Sequence, residues 1–372
     1  MSMKWELLLF CLFAAVSIIQ ILYYLFYFKR VAFYQPPLNG HSQTQPVSVI
    51  ICTRDEDKNL SRNLPGVLVQ EYNTTHEVIV VNHNSVDDSR YVLEELQKRF
   101  KQLQVVPLEH EAKLIAGKKF PLSIGIKECR HEIVLLTDAD CVPATEHWIA
   151  KMQAAFTPGV EVVLGYGAYY KVPGVLNKLI RWETFHTALQ YFGFALAGTP
   201  YMGVGRNLSY RKELFFRNKG FSAINNLPGG DDDLFVNKVA HAGNTAVVLD
   251  PDAFTLSVPK KTWKDWVRQK TRHYSTGKYY KKSHRFLLGM YAATLFLYYP
   301  LFAATAIFFD WRWAVVPLLI RLILQGYILR KAMQKLGESD LWRWFVLLDI
   351  WMGVYYLIFA PALWKRPRNN WN

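Results

Sequence analysis

The stretch Ile133-Val134-Leu135-Leu136-Thr137-Asp138-Ala139-Asp140 joins a short apolar run to two carboxylates. A run of β-branched and leucine side chains predicts a buried strand. Carboxylates two residues apart at the end of such a strand point the same way or straddle a turn. Hard oxygens there suit a Mg²⁺ or Mn²⁺ ion that carries a diphosphate. The alternative is a solvated turn, but the helix-like stretch 145–156 that follows favours a binding site.

Three further apolar runs predict strands around this one, at Val47–Cys52, Glu77–Val81 and Val160–Leu164. Apolar residues recur at helical spacing in Asn59–Gln70, after the first run, and in Asp88–Phe100, after the second. Alternating strands and helices predict an α/β fold with a mostly parallel sheet and helices on both faces. Ligands of such sheets bind beyond the carboxyl ends of the strands, where the polar residues of this chain follow.

Two later motifs combine charge with unusual neighbours. Gly229-Gly230-Asp231-Asp232-Asp233-Leu234 sets three consecutive acids behind a glycine pair. Adjacent like charges repel, so the cluster indicates a bound cation, a proton transfer or a helix cap with solvated acids. Trp263–Tyr274 interleaves aromatic and basic residues, which predicts an interfacial amphipathic helix or a basic juxtamembrane segment that holds anionic lipid.

The composition indicates a membrane protein with a basic surface. The 372 residues include 44 Lys and Arg against 30 Asp and Glu, a net charge of +14, yet 51% are hydrophobic, which excludes a disordered chain. Leu7–Phe28 is 22 residues long, uncharged and closed by Lys29-Arg30. It is too long for a signal peptide and long enough to cross a bilayer. By the positive-inside rule, Lys29-Arg30 places the segment after it in the cytosol.

The C-terminal region contains three more apolar segments, two of which carry a charge. Phe286–Phe309 is uncharged, Trp313–Leu329 contains Arg321, and Trp344–Trp364 contains Asp349. A charge inside a span is costly unless it meets a partner or an aqueous cavity. Three crossings would also put Lys365, Arg366 and Arg368 on the side of the membrane away from the cytosol. Either the tail therefore breaks the positive-inside rule, or one charged segment is re-entrant or interfacial. We therefore predict an anchor at 1–28, a cytosolic domain at 29–285 and two or three spans within 286–372.

In this order, the motifs resemble the membrane-anchored branch of the family-2 glycosyltransferases, which includes cellulose, chitin and hyaluronan synthases. The resemblance covers about residues 45 to 280. It rests on five elements, namely residues 47–56, the second strand with its Asp-rich tail, residues 117–125, Asp138-Ala139-Asp140, and the later acidic and Gln-x-x-Arg motifs. It implies a GT-A fold, Rossmann-like with a mostly parallel sheet, flanked by transmembrane helices.

The resemblance also implies roles for individual residues. Asp138 would contact the nucleotide side of the donor, and Asp140, together with Asp138, the Mg²⁺ or Mn²⁺ cofactor. Asp232 would be the general base for the acceptor hydroxyl, with Asp231 or Asp233 in that role if the alignment shifts by one residue. Gln269, Arg272 and His273 would cover the diphosphate and the acceptor entrance, and Lys118 would add a further positive charge. Asn207 and Arg211 would line the acceptor side.

Two departures from the family pattern bear on the substrate. Where members commonly read Asp-Asp-Gly-Ser after the second strand, this chain has Asn82-His83-Asn84-Ser85, which leaves Asp87 as the contact to the base and questions a uridine donor. His273 stands where the motif usually has tryptophan, which questions processive polymer synthesis more than catalysis.

The predicted function is inverting, metal-dependent transfer of a sugar from a nucleotide-sugar donor to a membrane-associated lipid or glycan acceptor. One alternative is a polyprenyl-phosphate sugar synthase, and another is a catalytically decayed membrane scaffold on the same fold. The lipid bilayer is an expected partner; nucleic acid is not, because no recognition module appears. The expected location is the bacterial cytoplasmic membrane, with the catalytic domain facing the cytosol.

Overall fold

The computed structural model describes residues 3–36, 45–109, 115 and 117–364. Its ten strands are β1 (Val47–Thr53), β2 (His76–His83), β3 (Leu103–Leu108), β4 (Ile133–Asp138), β5 (Cys141–Pro143), β6 (Val162–Leu164), β7 (Gly167–Tyr169), β8 (Leu208–Arg211), β9 (Thr245–Val247) and β10 (Thr255–Ser257). The main sheet has the order β3-β2-β1-β4-β8-β6-β9, and a small sheet has the order β5-β10-β7.

The main sheet is mixed but mostly parallel, which confirms the predicted fold class. β1 pairs in parallel with β2 and β4, and β2 with β3. β8 alone in this sheet runs antiparallel to its neighbours β4 and β6 within the described residues. All seven residues of β1 are buried, because helices cover both faces of the sheet.

Thirteen α-helices lie in the described part of the chain, the longest of them outside the sheet region. They are α1 (Met3–Tyr23), α2 (Lys29–Ala32), α3 (Asp57–Leu68), α4 (Ser89–Arg99), α5 (Lys119–Glu128), α6 (Trp148–Ala154), α7 (Val175–Leu196), α8 (Lys212–Arg217), α9 (Asp233–Val239), α10 (Trp263–Tyr274), α11 (Lys282–Thr305), α12 (Trp311–Lys335) and α13 (Phe345–Phe359). A π-helical turn, Tyr24–Phe28, joins α1 to α2.

Three helical stretches of the described residues are long and apolar enough to cross a membrane, namely Trp5–Ala32, Lys282–Lys335 and Ser339–Leu363. The second is a hairpin, because the backbone of Asp310 is extended and separates α11 from α12. The hydroxyl of Tyr298 donates to the carbonyl of Pro317 at 3.4 Å, a contact that two residues 19 apart make only when the helices run side by side.

The two charges of the C-terminal segments meet in the interior. Arg321 of α12 forms an ion pair with Asp349 of α13 at 2.8 Å, and both side chains are fully buried. Gln325 donates to the other carboxylate oxygen of Asp349 at 2.6 Å, and Arg321 donates to Gln20 of α1 at 3.3 Å. The pair thus meets the condition under which charges are tolerated among apolar helices.

The third stretch touches the α/β part of the chain (residues 45–280) at both ends. Near its start, Arg181 of α7 forms an ion pair with Asp340 at 2.6 Å. At its end, Phe359 packs on Trp266 of α10, and Leu363 lies against Gly277. Both ends of this stretch therefore contact the α/β part of the chain. Lys365, Arg366 and Arg368 lie outside the described residues.

The N-terminal helical stretch also packs directly on the α/β part. The ring of Tyr27 stacks on Phe194 of α7, with ring centroids 4.3 Å apart. Gly193 allows this approach, because a Cβ atom there would lie 2.9 Å from the carbonyl oxygen of Tyr27. The predicted interfacial helix is α10, but its Trp266 is buried against α13 and not at an open surface.

Candidate active site

A cavity of about 1220 Å³ opens beyond the carboxyl ends of β1 and β4. Its walls come from the loop after β4, the start of α9, helix α10 and the first turns of α11. The sequence-predicted site residues that line it are Lys118, Asp138, Asp140, Asp231, Asp232, Gln269, Arg272 and His273. Segments more than 130 residues apart in sequence therefore line the same cavity.

Asp138 and Asp140 form the acidic centre of one wall. The carboxylate of Asp138 is paired with the ammonium group of Lys118. Burial would raise the pKa of Asp138, but Lys118 and more distant arginines hold it below its usual value. Burial and the neighbouring charge of Asp138 raise the pKa of Asp140. Repulsion of this kind between close carboxylates is relieved by a bound cation.

The same centre offers a suitable ligand set for a divalent metal ion. One ligand atom each from Asp138, Asp140 and Cys141 lie within 4.8 Å of one another. Burial and then Asp140 raise the pKa of the Cys141 thiol, which donates to Asp140 at 3.3 Å. A protonated thiol is a poor ligand, so the two carboxylates are the better candidate ligands of this set, and oxygen ligands suit Mg²⁺ or Mn²⁺.

Asp232 lies at the start of α9 and lines the same cavity as the acidic centre. Its two carboxylate oxygens accept hydrogen bonds from the backbone N–H groups of Gly205, at 2.8 Å, and Asp233, at 2.7 Å. Burial and the neighbouring carboxylates of Asp231 and Asp233 raise the pKa of Asp232 to about 7. A carboxylate with this pKa is suited to accept a proton at neutral pH.

The loop before the acid cluster (residues 231–233) is held by a buried lysine. Lys119 is fully buried, and its ammonium group donates to the carbonyls of Leu227 and, at 2.9 Å, Gly229. Gly230 has a φ of +95°, a conformation that glycine adopts without strain. The cation and the glycine together fix the entry into α9, and hence the position of Asp232.

Helix α10 closes the cavity from the side of α13. Gln269 Oε1 is buried without a hydrogen-bond partner among the described residues, so it offers an acceptor to a bound molecule. Lys270 forms a buried ion pair with Glu183 of α7, which fixes the helix against the domain. Burial and then Arg272 hold the pKa of His273 well below its usual value, so this imidazole is neutral.

A protein-family model described as "Glycosyltransferase like family 2" matches residues 44–276. The chain belongs to glycosyltransferase family 2. This confirms the family predicted from the motifs, and the chain is an enzyme of that class.

Individual relatives match a shorter part of the chain. A poly-beta-1,6-N-acetyl-D-glucosamine synthase from Staphylococcus epidermidis is 30% identical over 121 residues, which is 32% of this chain and 28% of the relative. A beta-monoglucosyldiacylglycerol synthase from Nostoc sp. is 28% identical over 120 residues, 32% of this chain and 25% of that relative. The matched region therefore spans little more than a quarter of either relative.

A solved structure resembles this glycosyltransferase over nearly its whole length. The mannosyltransferase from Pyrobaculum calidifontis, solved in complex with GDP-mannose and Mn²⁺, is 20% identical with a TM-score of 0.61. The match covers 96% of this chain and 99% of the mannosyltransferase. At this identity the likeness shows the shared fold, so the predicted GT-A fold is confirmed.

Three predicted site residues do not line the cavity of this glycosyltransferase. Asp87 links the starts of α3 and α4. Its carboxylate accepts hydrogen bonds from the backbone N–H groups of Asp57 at 2.9 Å and Ser89 at 3.0 Å. Arg211 donates to the carbonyl of Val160 at 3.1 Å. Asn207, described next, is enclosed in the protein.

Asn207 ties three segments together behind the cavity. Its Oδ1 accepts from Trp148 Nε1 at 3.0 Å, and its Nδ2 donates to the carbonyls of Tyr166 at 3.0 Å and Ala253 at 2.7 Å. The side chain is fully buried. These contacts give the side chain of Asn207 a role in the packing of the fold.

Asn207→Leu is expected to lower the free energy of unfolding by about 3 kcal/mol, because it leaves buried donors and acceptors without partners. Thermal unfolding in detergent measures this loss, and Asn218→Leu, which removes one hydrogen bond within a helix end, is the matched control. A variant with unchanged stability and a raised KM for the acceptor would instead support the acceptor-side role.

Arg206 is a cavity residue that sequence reasoning passed over. Its guanidinium lies 4.4 Å from the ring centroid of Tyr169 and donates to Ser257 at 3.2 Å. Burial lowers the pKa of Arg206, but Tyr169, Cys141, Asp140 and Asp138 together raise it, so its positive charge lies near the acidic centre. The only sequence signal was its position one residue before Asn207, inside the stretch 203–211 that was already singled out.

Proposed function

We propose that this enzyme transfers a sugar from a nucleotide-sugar donor, with inversion and with the help of Mg²⁺ or Mn²⁺, to a membrane-associated lipid or glycan acceptor. The observation that carries the proposal is the single cavity shared by the carboxylates of Asp138 and Asp140, the carboxylate of Asp232, and the first turns of a candidate membrane helix. The proposal adds reaction course, cofactor and acceptor type to the family membership.

The donor end of the reaction is assigned to the sheet side of the cavity. Asp138 and Asp140 would hold the metal ion, which supplies positive charge to the leaving diphosphate when bound. Arg272 and Arg206 add fixed positive charges on the same space. Gln269 Oε1, buried and without a partner among the described residues, is available to a hydroxyl of the donor. These groups stabilise negative charge as it develops on the diphosphate.

The acceptor end is assigned to Asp232. Its carboxylate takes the proton of the incoming hydroxyl as the oxygen attacks the anomeric carbon on the face opposite the diphosphate. A base with a pKa of about 7 favours a hydroxyl acceptor, because a lipid phosphate is already ionised at neutral pH and needs no base. This distinguishes the proposal from the polyprenyl-phosphate alternative, whose nucleophile is a phosphate oxygen.

The proposal is tested by measuring how tightly each of a panel of nucleotide sugars binds to the purified full chain in detergent, with and without Mn²⁺. We expect one member of the panel to bind at least about tenfold more tightly with Mn²⁺, since the diphosphate and the carboxylates are both negative and the cation relieves their repulsion. Asp140→Ala should abolish that difference, whereas the exposed Asp265→Ala, outside the cavity, should preserve it. Binding of no nucleotide sugar, or equal binding without the ion, would contradict the proposal.

A further inference from the structure

The cavity continues past the acid cluster into apolar surroundings. Beyond residues 231–233 it is lined by Phe286, Leu288 and Gly289 of α11, and by Ala360 and Leu363 at the end of α13. Phe286 is 67% exposed, and Gly289 has no atom within 4 Å of the position of a Cβ. α11 belongs to a candidate membrane span, so this end of the cavity is formed by a helix that is apolar enough to cross a bilayer.

Two basic side chains mark the point where the polar and apolar parts of the cavity meet. Lys282 and Arg285 lie in the first turn of α11 and line the cavity, and both are exposed. Within the described residues, neither forms a salt bridge with a carboxylate. Two cations beside an apolar wall, without an acidic partner, are complementary to an anionic group attached to hydrocarbon.

The start of α11 is held directly against the acid cluster. The hydroxyl of Tyr280 donates to Asp233 at 2.8 Å, and Thr276 donates to the same carboxylate oxygen at 2.5 Å. Tyr280 precedes Lys282 by two residues, and Asp233 follows Asp232. The start of α11 is therefore joined to the acid cluster, and the proposed base and the two cations line the same cavity.

We propose that the acceptor is a lipid that carries both a free hydroxyl and an anionic phosphate in its head group, a statement that rests on the proposed function. Lys282 and Arg285 bind the phosphate, the hydrocarbon chains lie along Phe286 and Leu363, and the hydroxyl reaches Asp232. The hydroxyl oxygen forms the new bond to the anomeric carbon as the bond from that carbon to the diphosphate breaks. The proton passes to Asp232, and the nucleoside diphosphate leaves.

Three lipids separate the required features of the acceptor. Phosphatidylglycerol has a phosphate and a head-group hydroxyl, diacylglycerol has the hydroxyl without the phosphate, and phosphatidic acid has the phosphate without a hydroxyl. The full chain is reconstituted in phosphatidylcholine vesicles that contain one of these lipids, with the radiolabelled nucleotide sugar selected by the binding panel. We expect organic-extractable product with phosphatidylglycerol, at least about tenfold less with diacylglycerol, and none with phosphatidic acid.

Two variants test the phosphate site itself. Lys282→Gln and Arg285→Gln are each expected to raise the KM for phosphatidylglycerol about tenfold, with the KM for the donor unchanged. Lys331→Gln is the matched control, because Lys331 is an exposed base near the end of α12 that does not line the cavity. Because all three side chains are exposed, circular dichroism should be unchanged.

The outcomes separate this inference from the function on which it rests. If the enzyme binds no nucleotide sugar, the proposed function fails. If the enzyme binds the donor but makes as much product with diacylglycerol as with phosphatidylglycerol, or makes none with phosphatidylglycerol, the anionic lipid acceptor is wrong and the proposed function stands. The same conclusion follows if Lys331→Gln raises the KM for phosphatidylglycerol as much as Lys282→Gln does. Product with phosphatidic acid would point to a phosphate nucleophile and also overturn the inference.

Discussion

Asp232→Asn is expected to slow sugar transfer by about 10²–10⁴-fold, because the amide cannot accept the proton of the attacking hydroxyl. Donor binding should be nearly unchanged, since the proposed donor contacts are made by Asp138 and Asp140 and not by Asp232. Single-turnover transfer and equilibrium donor binding measure the two effects separately. The asparagine keeps an oxygen that can still accept a hydrogen bond from Gly205 or Asp233.

The pH dependence of the reaction follows from the same carboxyl group. Its pKa of about 7 means that Asp232 is mostly protonated at pH 6 and mostly ionised at pH 8. Only the ionised form is a base, so kcat/KM should rise with pH through about 7 and then level off. In Asp232→Asn this rise should be absent.

The stability of the variant supplies a second readout. The pKa of Asp232 is raised on folding, so the native state resists its ionisation and loses stability as the pH rises toward 7. Asp232→Asn removes that ionisation, and should therefore raise the melting temperature more at pH 8 than at pH 5. Asp265→Asn, on the exposed side of α10, is the control for both readouts. Wild-type turnover in Asp232→Asn would transfer the role of base to Asp231 or Asp233.

Arg321→Met is expected to lower the free energy of unfolding by about 3–5 kcal/mol, the largest stability effect that we predict. The substitution leaves the carboxylate of Asp349 buried among apolar helices with Gln325 and Tyr299 as its remaining partners. Thermal unfolding in detergent, or in lipid nanodiscs, measures the loss. Activity should fall in step with the folded fraction, because neither charge lines the cavity.

A second substitution distinguishes a lost partner from lost packing. Arg321→Met combined with Asp349→Leu removes both charges, so most of the stability should return. Lys331→Met, exposed on the same helix, should have little effect. If the single variant at Arg321 were as stable as Lys331→Met, the ion pair would not be what holds α12 to α13.

The sheet and the centre of the site could be predicted because local patterns determine them. β1, β2 and β4 are short apolar runs, and polar residues directly after β4 must lie at the ligand-binding edge of a parallel sheet. Asp138 and Asp140 were singled out in this way, whereas Asp232 was singled out by the run of acids behind Gly229-Gly230 and by the family motif. The antiparallel β8 gives no such signal, since four residues, Leu208–Arg211, carry no direction in their sequence.

Pairings between distant segments could not be predicted. Nothing in the sequence matches Arg321 to Asp349, and each charge alone made its segment a doubtful span. Asn207 sits within a motif of the family, yet its amide points into the protein, because side-chain direction depends on the packing of three segments at once. Arg206, one residue earlier, faces the cavity instead.

The stacking of Tyr27 on Phe194 bears on how this enzyme is best handled in the laboratory. Tyr27 belongs to the N-terminal helical stretch, and Phe194 to the long helix α7 of the α/β part. Gly193, without a side chain, leaves a groove on α7 that the backbone of Tyr27 fills. Removing the first 32 residues would expose that groove and would leave the apolar helices α11, α12 and α13 in place, so purification should keep the N-terminal helix and use detergent.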